Sequence, residues 1–302
     1  MPEPHRTTND ADLDHAAEIF LSLRPRLFGI AYRMLGTAAE AEDLVQEVWL
    51  RWQGTDRSVV IDPPAFLATT TVRLSINSLT SARSRRESYI GPWLPEPVDL
   101  SADPSLGAER SQALELAVLL LLEKLTPTER AAYVLREAFD YAYGRIAEIL
   151  SLTEANVRQL VSRARKHIAD TRSRPTSKSE QQRLLTAFIT AAQAGDLSTL
   201  ESMFAADIVS ISDGGGVATA ARLPVIGRQR VARFIEAFSG HFWKGVTLTW
   251  LEANGQPSVL IARDGNALAL AAITASDDGI DQILWVMNPA KLASITTARN
   301  LG

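Results

Sequence analysis

The stretch 143–169, YGRIAEILSLTEANVRQLVSRARKHIA, predicts two short helices joined by a tight turn. Apolar residues at helical spacing form one face of the second helix: Val157, Leu160, Val161, Ala164 and Ile168. Thr153 stands at the N-cap position, directly before Glu154. A short packing helix followed by a helix with one basic, polar face is how a helix-turn-helix enters the major groove of DNA. An ordinary helical hairpin with a solvated polar face is the alternative interpretation.

The opposite face of this second helix carries amide, hydroxyl and basic side chains: Asn156, Arg158, Gln159, Ser162, Arg163, Arg165 and Lys166. Arginine and lysine neutralise phosphates or donate to guanine, whereas asparagine and glutamine can pair with adenine through two hydrogen bonds. We therefore predict that this face binds DNA, and that about half of its residues contact phosphate only.

Length and composition limit which kinds of protein this chain can be. The chain has 302 residues, of which 46% are hydrophobic, so it can form two or three packed domains. It has no cysteine, which excludes disulfides and thiolate metal sites, and only four scattered histidines. No apolar run approaches the roughly 18 residues of a membrane span, and the polar N-terminus lacks a signal-peptide core. We therefore predict a cytoplasmic protein with no membrane partner, no metal and no cofactor.

Charge is segregated along the chain rather than balanced locally. The formal net charge is −4, yet residues 73–86 carry a local +4 and residues 158–174 a local +5. Residues 40–47 carry a local −4. Because the Debye length in cells is about 8 Å, separated patches act independently. Two basic patches can meet phosphates while the acidic patch meets a basic protein.

The first third of the chain reads as helices. The stretch 38–52 has an acidic stripe (Glu40, Asp43, Glu47) opposite an apolar face (Val45, Val48, Trp49, Trp52), so we expect both tryptophans to pack in a core. Pro25 fits the first turn of a helix rather than its middle. The helix that follows Pro63 and Pro64 carries a polar and basic series: Arg73, Asn77, Ser81, Arg83, Arg85 and Arg86.

A proline-rich linker and an α+β region make up most of the rest. The linker, 89–107, contains four prolines and the apolar pair Trp93 and Leu94, which we expect to dock on another surface. After residue 175, helical patterns give way to β-type runs separated by hairpin signals, for example Asn254 followed by Gly255. Helices followed by an antiparallel meander predict an α+β domain with a concave sheet.

The two helical blocks resemble regions 2 and 4 of the extracytoplasmic-function sigma factors. The stretch 39–52 is similar to the helix that binds the β′ coiled coil of RNA polymerase, and the resemblance implies these contact residues: Glu40, Asp43, Gln46, Glu47 and Leu50. The stretch 64–86 resembles the helix that melts and reads the −10 element, and 143–169 the unit that reads the −35 element. The implied partners are core polymerase, through its β′ coiled coil and β flap, and promoter DNA. We expect the loop 54–62 to receive an extruded base.

The last third resembles a SnoaL-like domain, the cone-shaped α+β fold shared with ketosteroid isomerases, which a subgroup of these sigma factors carries. Three segments carry the resemblance: Trp93-Leu94-Pro95-Glu96-Pro97, Asp213-Gly214-Gly215-Gly216, and Asn288-Pro289-Ala290-Lys291-Leu292. Two departures occur, since Val217 stands where the subgroup has lysine and Ala290 where it has aspartate. The resemblance implies a built-in regulator, and we expect the three segments to lie near one another.

We therefore predict a multidomain protein with two all-α sigma domains and an α+β SnoaL-like cone: 1–88 region 2, 89–107 linker, 108–174 region 4 and 175–302 the regulatory domain. A small ligand of unknown identity in the cone is a further predicted partner. One alternative is a one-component, ligand-sensing DNA-binding regulator; another is a SnoaL-like enzyme with a DNA-binding tether. All five tyrosines precede residue 175, so we expect the tyrosine donor of the related isomerases to be absent.

Overall fold

The structure is a computed structural model that describes residues 6–87, 89–99, 115–171 and 176–299, without the side chains of 6–11, 81–87, 170–171 and 297–299. The described residues form two compact units. The first comprises those up to 84 together with 125–164, and the second comprises the others. Both predicted helical blocks thus contribute to the first unit.

The described elements follow the predicted order of helices and then strands. The helices are α1 (Arg6–Leu35), α2 (Ala38–Gln53), α3 (Pro63–Glu87), α4 (Leu116–Leu122), α5 (Pro127–Glu137), α6 (Tyr143–Leu150), α7 (Glu154–Thr171), α8 (Lys178–Ala194), α9 (Leu197–Met203), α10 (Arg228–Phe242) and α11 (Pro289–Arg299). The strands are β1 (Phe204–Asp213), β2 (Val225–Ile226), β3 (Thr247–Ala253), β4 (Gln256–Arg263), β5 (Asn266–Ser276) and β6 (Gly279–Val286). A short 3₁₀ helix, Arg57–Val59, lies between α2 and α3.

Helices α1 and α2 pack together in the first unit through the apolar face of α2. Trp52 is buried and its indole nitrogen donates to the backbone oxygen of Ala16 at 3.0 Å. The ring of Trp49 packs 5.0 Å from that of Phe20. The prediction of core packing is confirmed for Trp52, whereas Trp49 is half-buried. Pro25, however, lies inside α1, so its predicted place in a first turn is wrong. Buried residues on both sides of the proline, such as Phe20 and Leu27, anchor the helix across it.

Two buried arginines connect α1 with the α5 region inside the first unit. Arg130 on α5 donates to the backbone oxygen of Arg33 at 3.0 Å. The guanidinium of Arg33 lies over the ring of Phe139, 5.0 Å from its centroid. Burial lowers the pKa of Arg130 to about 9, so this side chain is still charged at neutral pH. Packing of this kind fixes one arrangement of the two helical blocks, because a buried cation tolerates few alternative surroundings.

The second unit is built on one six-stranded sheet in the order β2-β1-β6-β5-β4-β3. Strands β1 and β6 pair in parallel, and the other neighbours are antiparallel. Helices α8, α9 and α10 contribute to the hydrophobic cluster on one face. Residues of α11, of α4 and of the linker contribute to the cluster on the other face, among them Leu94 and Leu116. The predicted α+β fold is confirmed.

The predicted hairpin turns explain the meander. Asn254 and Asp264 have φ of 54° and 50°, a left-handed region that asparagine and aspartate enter more readily than most residues. Each is followed by a glycine that also has positive φ. Strands β3, β4 and β5 therefore pair as neighbours with short connections.

Candidate functional site

Helix α7 displays the predicted DNA-binding residues on one exposed face. Thr153 caps the helix, since its hydroxyl accepts from the backbone N–H of Asn156 at 3.3 Å. The residue before the turn, Ser151, has φ of 56° and ends α6 in the left-handed conformation. The predicted apolar face of α7 is buried. Its opposite side, which we call the reading face, is exposed: Asn156, Arg158, Gln159, Ser162, Arg163, Arg165 and Lys166.

Two arginines of the reading face have acidic partners within the first unit. Arg158 pairs with Glu154 one turn earlier, and its guanidinium lies 4.3 Å from the centroid of the Tyr143 ring. Arg163 is exposed and lies 3.7 Å from the carboxylate of Glu129, which is largely buried. The pair of Arg158 with Glu154 is exposed on both sides, and such pairs contribute about 0–1 kcal/mol. Arg158 can therefore exchange its glutamate for another anion at little cost.

Helix α3 contributes a second polar surface in the same unit. Arg73 is exposed and donates to the hydroxyl of Ser151 at 3.3 Å, and Asn77 is exposed as well. The side chains of the other predicted α3 residues, Ser81, Arg83, Arg85 and Arg86, lie outside the described part of the structure. The predicted −10 contacts are therefore described only in part.

A pocket lies beside the loop between α2 and α3. It has a volume of about 490 Å³ and is lined by Arg51, Gly54, Thr55, Phe66, Thr70 and Arg73. The loop 54–62 itself contains no aromatic residue, but Phe66 on α3 supplies one. The pocket thus combines two cations with a ring and hydroxyl groups.

Helix α2 turns its acidic stripe away from the core. Asp43, Gln46 and Glu47 are exposed, and Leu50 is 61% exposed although it is apolar. Glu40 accepts a hydrogen bond from the hydroxyl of Thr37 at 2.9 Å. The carboxylates make this face complementary in charge to a basic partner.

The three segments that carry the SnoaL-like resemblance come together in the second unit. The backbone N–H of Leu94 donates to Asp213 at 2.8 Å, and the ammonium of Lys291 lies 2.6 Å from the same carboxylate. Lys291 also donates to the backbone oxygen of Leu94 and lies 4.4 Å from the centroid of the Trp93 ring. Asn288 donates to the hydroxyl of Tyr89 at 2.8 Å. We call Asp213, Asn288 and Lys291 the linker seat, because they hold the linker.

The linker residues after Leu94 are buried against the same domain. Pro95, Glu96, Pro97 and Val98 are all buried, and Ser294 on α11 donates to the backbone oxygen of Pro97 at 3.1 Å. Leu292 is buried in the same cluster as Leu94, whereas Pro289 is exposed. The predicted docking of Trp93 and Leu94 on another surface thus has its counterpart in the structure.

The glycines that follow Asp213 allow their loop to approach Asn288 of the seat closely. A Cβ on Gly215 would lie 2.3 Å from the amide nitrogen of Asn288, and one on Gly214 would lie 2.5 Å from the backbone oxygen of Ala218. Gly215 and Gly216 also have positive φ. Any side chain here would therefore separate the loop from Asn288. Val217 and Ala290, the two departures from the subgroup pattern, are both exposed, so neither removes a buried charge from the seat.

A tyrosine of the linker, Tyr89, reaches the C-terminal domain. The Tyr89 hydroxyl donates to Asp213 at 2.6 Å. Burial, together with the hydrogen bond to Asp213, raises the pKa of Tyr89. Tyr89 comes from the linker and contacts the linker seat, so the expected absence of an isomerase-type tyrosine donor stays a prediction.

A second, apolar cavity lies on the sheet face that α8 to α10 cover. Its volume is about 190 Å³, and its lining is mainly aromatic and aliphatic: Ser212, Thr219, Ala220, Ala221, Phe234, Ile235, Phe238, Phe242, Trp243, Trp285 and Met287. Among the described residues no charged side chain lines it. The cavity is therefore suited to binding rather than to acid–base chemistry.

No helix within the described ranges is long and apolar enough to cross a membrane. Across the same residues, no group of three or more histidine, aspartate or glutamate side chains is arranged to hold a metal ion.

Comparison with known proteins agrees with this geometry. The family model for sigma-70 region 2 matches residues 19–85, and that for sigma-70 region 4 matches residues 115–168. Helix α4, which packs in the second unit, thus falls within the region 4 match.

Relatives cover nearly the whole chain. It is 35% identical over 286 residues to the ECF RNA polymerase sigma factor SigJ of Mycobacterium tuberculosis, covering 90% of this chain and 91% of SigJ. It is 30% identical over 273 residues to the probable ECF RNA polymerase sigma factor SigI of that species, covering 89% and 92%. The SigJ crystal structure matches with a TM-score of 0.73 and 33% identity, over 92% of this chain and 98% of SigJ. The chain belongs to the extracytoplasmic-function family of RNA polymerase sigma factors.

Proposed function

We propose that this sigma factor binds core RNA polymerase through the exposed face of α2 and reads promoter DNA with α7 and α3. The observation that carries the proposal is the reading face, where amide and cationic side chains project from a capped helix whose other side is buried. The N-terminal part of such a helix reaches base edges, and its cations contact phosphates. Transcription takes place where the DNA is, so the protein acts in the cytoplasm.

The pocket beside the loop 54–62 is the proposed site for a base flipped out of the opened −10 element. Its Phe66 ring can stack on the base, since every base has a π-face. Arg51 and Arg73 can hold the flanking phosphates. The polar rim of Thr55 and Thr70 then supplies hydrogen bonds to the base edge.

The C-terminal domain is proposed to act as a regulator rather than as an enzyme. The support is the linker seat, which binds the segment between the two helical blocks by a buried ion pair and by backbone hydrogen bonds. The apolar cavity has no carboxylate among its described lining residues, so it lacks the base that isomerase chemistry needs. A small ligand bound in that cavity is the proposed signal.

Complex formation with core polymerase tests the docking face. Wild-type protein should co-elute with purified core polymerase on size exclusion, and the double charge reversal Asp43→Arg and Glu47→Arg should weaken the complex at least tenfold. Glu236→Arg, an exposed carboxylate on α10, is the matched control and should elute like the wild type. Equal binding by the double variant and the wild type would remove the docking face from the proposal. Specific DNA binding without polymerase would favour a one-component regulator instead.

A further inference from the structure

The chemistry of the apolar cavity limits the ligand it can hold. Five aromatic side chains line it: Phe234, Phe238, Phe242, Trp243 and Trp285. Burying an unpaired charge among such side chains is costly, so a carboxylate or ammonium ligand is disfavoured. The hydroxyl of Ser212, a residue that is 4% exposed, can serve one hydrogen-bonding group of the ligand.

The volume limits the size. A dry cavity of about 150 Å³ is known to bind benzene. At about 190 Å³ this cavity accommodates one ring with a few further atoms, roughly 6 to 10 non-hydrogen atoms on that scale. The cavity is partly open, so the part of a larger compound beyond one ring would lie outside these apolar walls.

The cavity and the linker seat are adjacent along the chain at two places. On β1, Ser212 lines the cavity and the next residue, Asp213, binds Lys291. Successive residues of a strand point to opposite faces, so Ser212 and Asp213 lie on opposite faces of the sheet. After β6 ends at Val286, Met287 lines the cavity and the next residue, Asn288, binds Tyr89.

A loop forms a wall shared by the cavity and by the bound linker. Residues 219–221 line the cavity, and the same residues line a pocket of about 300 Å³ that is also lined by Ile90 and Gly91 of the linker. The loop also approaches the linker directly, because a Cβ on Gly216 would lie 3.0 Å from the Ile90 side chain. A ligand that displaces this wall would therefore change the surface that Ile90 and Gly91 contact.

We propose that the cavity binds a small, uncharged, single-ring aromatic molecule, and that filling it loosens the linker from its seat through the shared loop. The inference rests on the proposed regulatory role of the C-terminal domain and names the signal that this role requires. Because coupling between two sites is reciprocal, loosening the linker must strengthen ligand binding by the same factor.

Calorimetry on the full chain tests the ligand class. Benzyl alcohol should bind saturably at one site, and benzoate, which has similar size but carries a charge, should bind at least tenfold more weakly. Ile235→Phe, which adds volume to the wall from α10, should weaken benzyl alcohol binding at least tenfold. Ser212→Ala, which removes only the hydroxyl, is the second variant should Ile235→Phe fail to fold, and should weaken binding at least threefold. Equal affinity for the two compounds, or no binding of either, overturns the ligand class.

The coupling has its own test. In Asp213→Asn, or in Trp93→Leu should the first fail to fold, benzyl alcohol should bind at least threefold more tightly than in the wild type. Lys178→Gln, which breaks an exposed pair with Glu252 on the same domain, should leave the affinity unchanged. Unchanged or weaker binding in the seat variants overturns the coupling. These binding assays contain no polymerase, so they test the ligand and the coupling alone. The proposed function is tested separately, by transcription with core polymerase and no ligand. Absence of transcripts from the wild-type protein there would contradict the proposed function instead.

Discussion

The reading face and the linker seat use the same chemistry, cations beside carboxylates, in opposite surroundings. On the reading face, the Arg158 and Glu154 side chains are 58% and 49% exposed. In the seat, the Lys291 and Asp213 side chains are 8% and 0% exposed. Water and salt screen the first pair, whereas the second lies where electrostatic interactions are strong and unpaired charges are costly.

This difference separates exchangeable contacts from fixed ones. A screened arginine loses little when it leaves a glutamate for a phosphate, which suits the proposed DNA binding of the reading face. A buried lysine without its carboxylate faces a desolvation cost, which favours the linker in its seat. Substitutions in the two surfaces test this contrast.

Asp213→Asn should produce the largest effect. It removes the carboxylate that pairs with the buried Lys291 ammonium, and loss of one partner of a buried pair costs about 3–5 kcal/mol. Chemical denaturation of the full chain measures the change in the free energy of unfolding. The matched control is Lys178→Gln, whose pair with Glu252 is exposed and should be worth about 1 kcal/mol or less. Similar losses of unfolding free energy in the two variants would show that the buried pair stabilises the fold no more than an exposed pair does.

Gln159→Ala should have the next largest effect, on promoter recognition. If Gln159 contacts a base, its removal costs about 1–3 kcal/mol of discrimination at one base pair. Lys166→Ala should instead weaken binding to all sequences. It should also reduce the slope of the logarithm of affinity against the logarithm of salt concentration by about one. Binding of the holoenzyme to promoter fragments at several salt concentrations measures both. Loss of affinity without loss of discrimination in Gln159→Ala would assign this residue to the phosphates.

Trp93→Leu should have a smaller effect on the seat. The Trp93 ring lies 4.4 Å from the Lys291 ammonium, and such cation–π contacts contribute about 0.5–2 kcal/mol. Trp250→Leu is the control, because Trp250 lies on the edge strand β3 and is partly exposed. If both variants lose equal stability in denaturation, the cation–π contact adds nothing beyond ordinary packing.

Tyr89→Phe should remove a pH dependence at the alkaline end. Because folding raises the pKa of Tyr89, the phenol stabilises the folded state fully below the unfolded value of about 10. That contribution falls as pH rises above this value, and Tyr89→Phe should lack this part of the slope. Denaturation between pH 8 and 11 measures it, and parallel pH curves for the two proteins would contradict the role of Tyr89.

Local patterns in the sequence predicted the helix-turn-helix and the meander well. Thr153 can be recognised as a cap from its neighbours, and Asn254 with Gly255 marks a hairpin, because these signals depend on adjacent residues. The exposed acidic stripe of α2 also followed from spacing alone. Resemblance to a family, rather than spacing, predicted that the three seat segments lie together.

Long-range pairing could not be predicted in this way. The parallel pairing of β1 with β6 joins strands far apart in the sequence, and no local pattern encodes it. The place of Tyr89 beside Asp213 depends on the path of the linker. Helix α4 gave one usable signal, since Leu116–Leu122 is apolar on all sides and such helices are buried.

Leu94, Leu116 and Ala117 pack in the core of the second unit. Cutting the chain before residue 176 would expose them, so point variants are cleaner probes than truncation.

Run-off transcription with purified core polymerase on fragmented genomic DNA shows whether the exposed face of α7 selects promoters for a polymerase bound to α2. Wild-type protein should yield discrete transcripts that share upstream sequence elements, and Gln159→Ala should change or lose these start sites while its complex with core polymerase stays intact. An identical set of start sites with and without the protein would contradict the account.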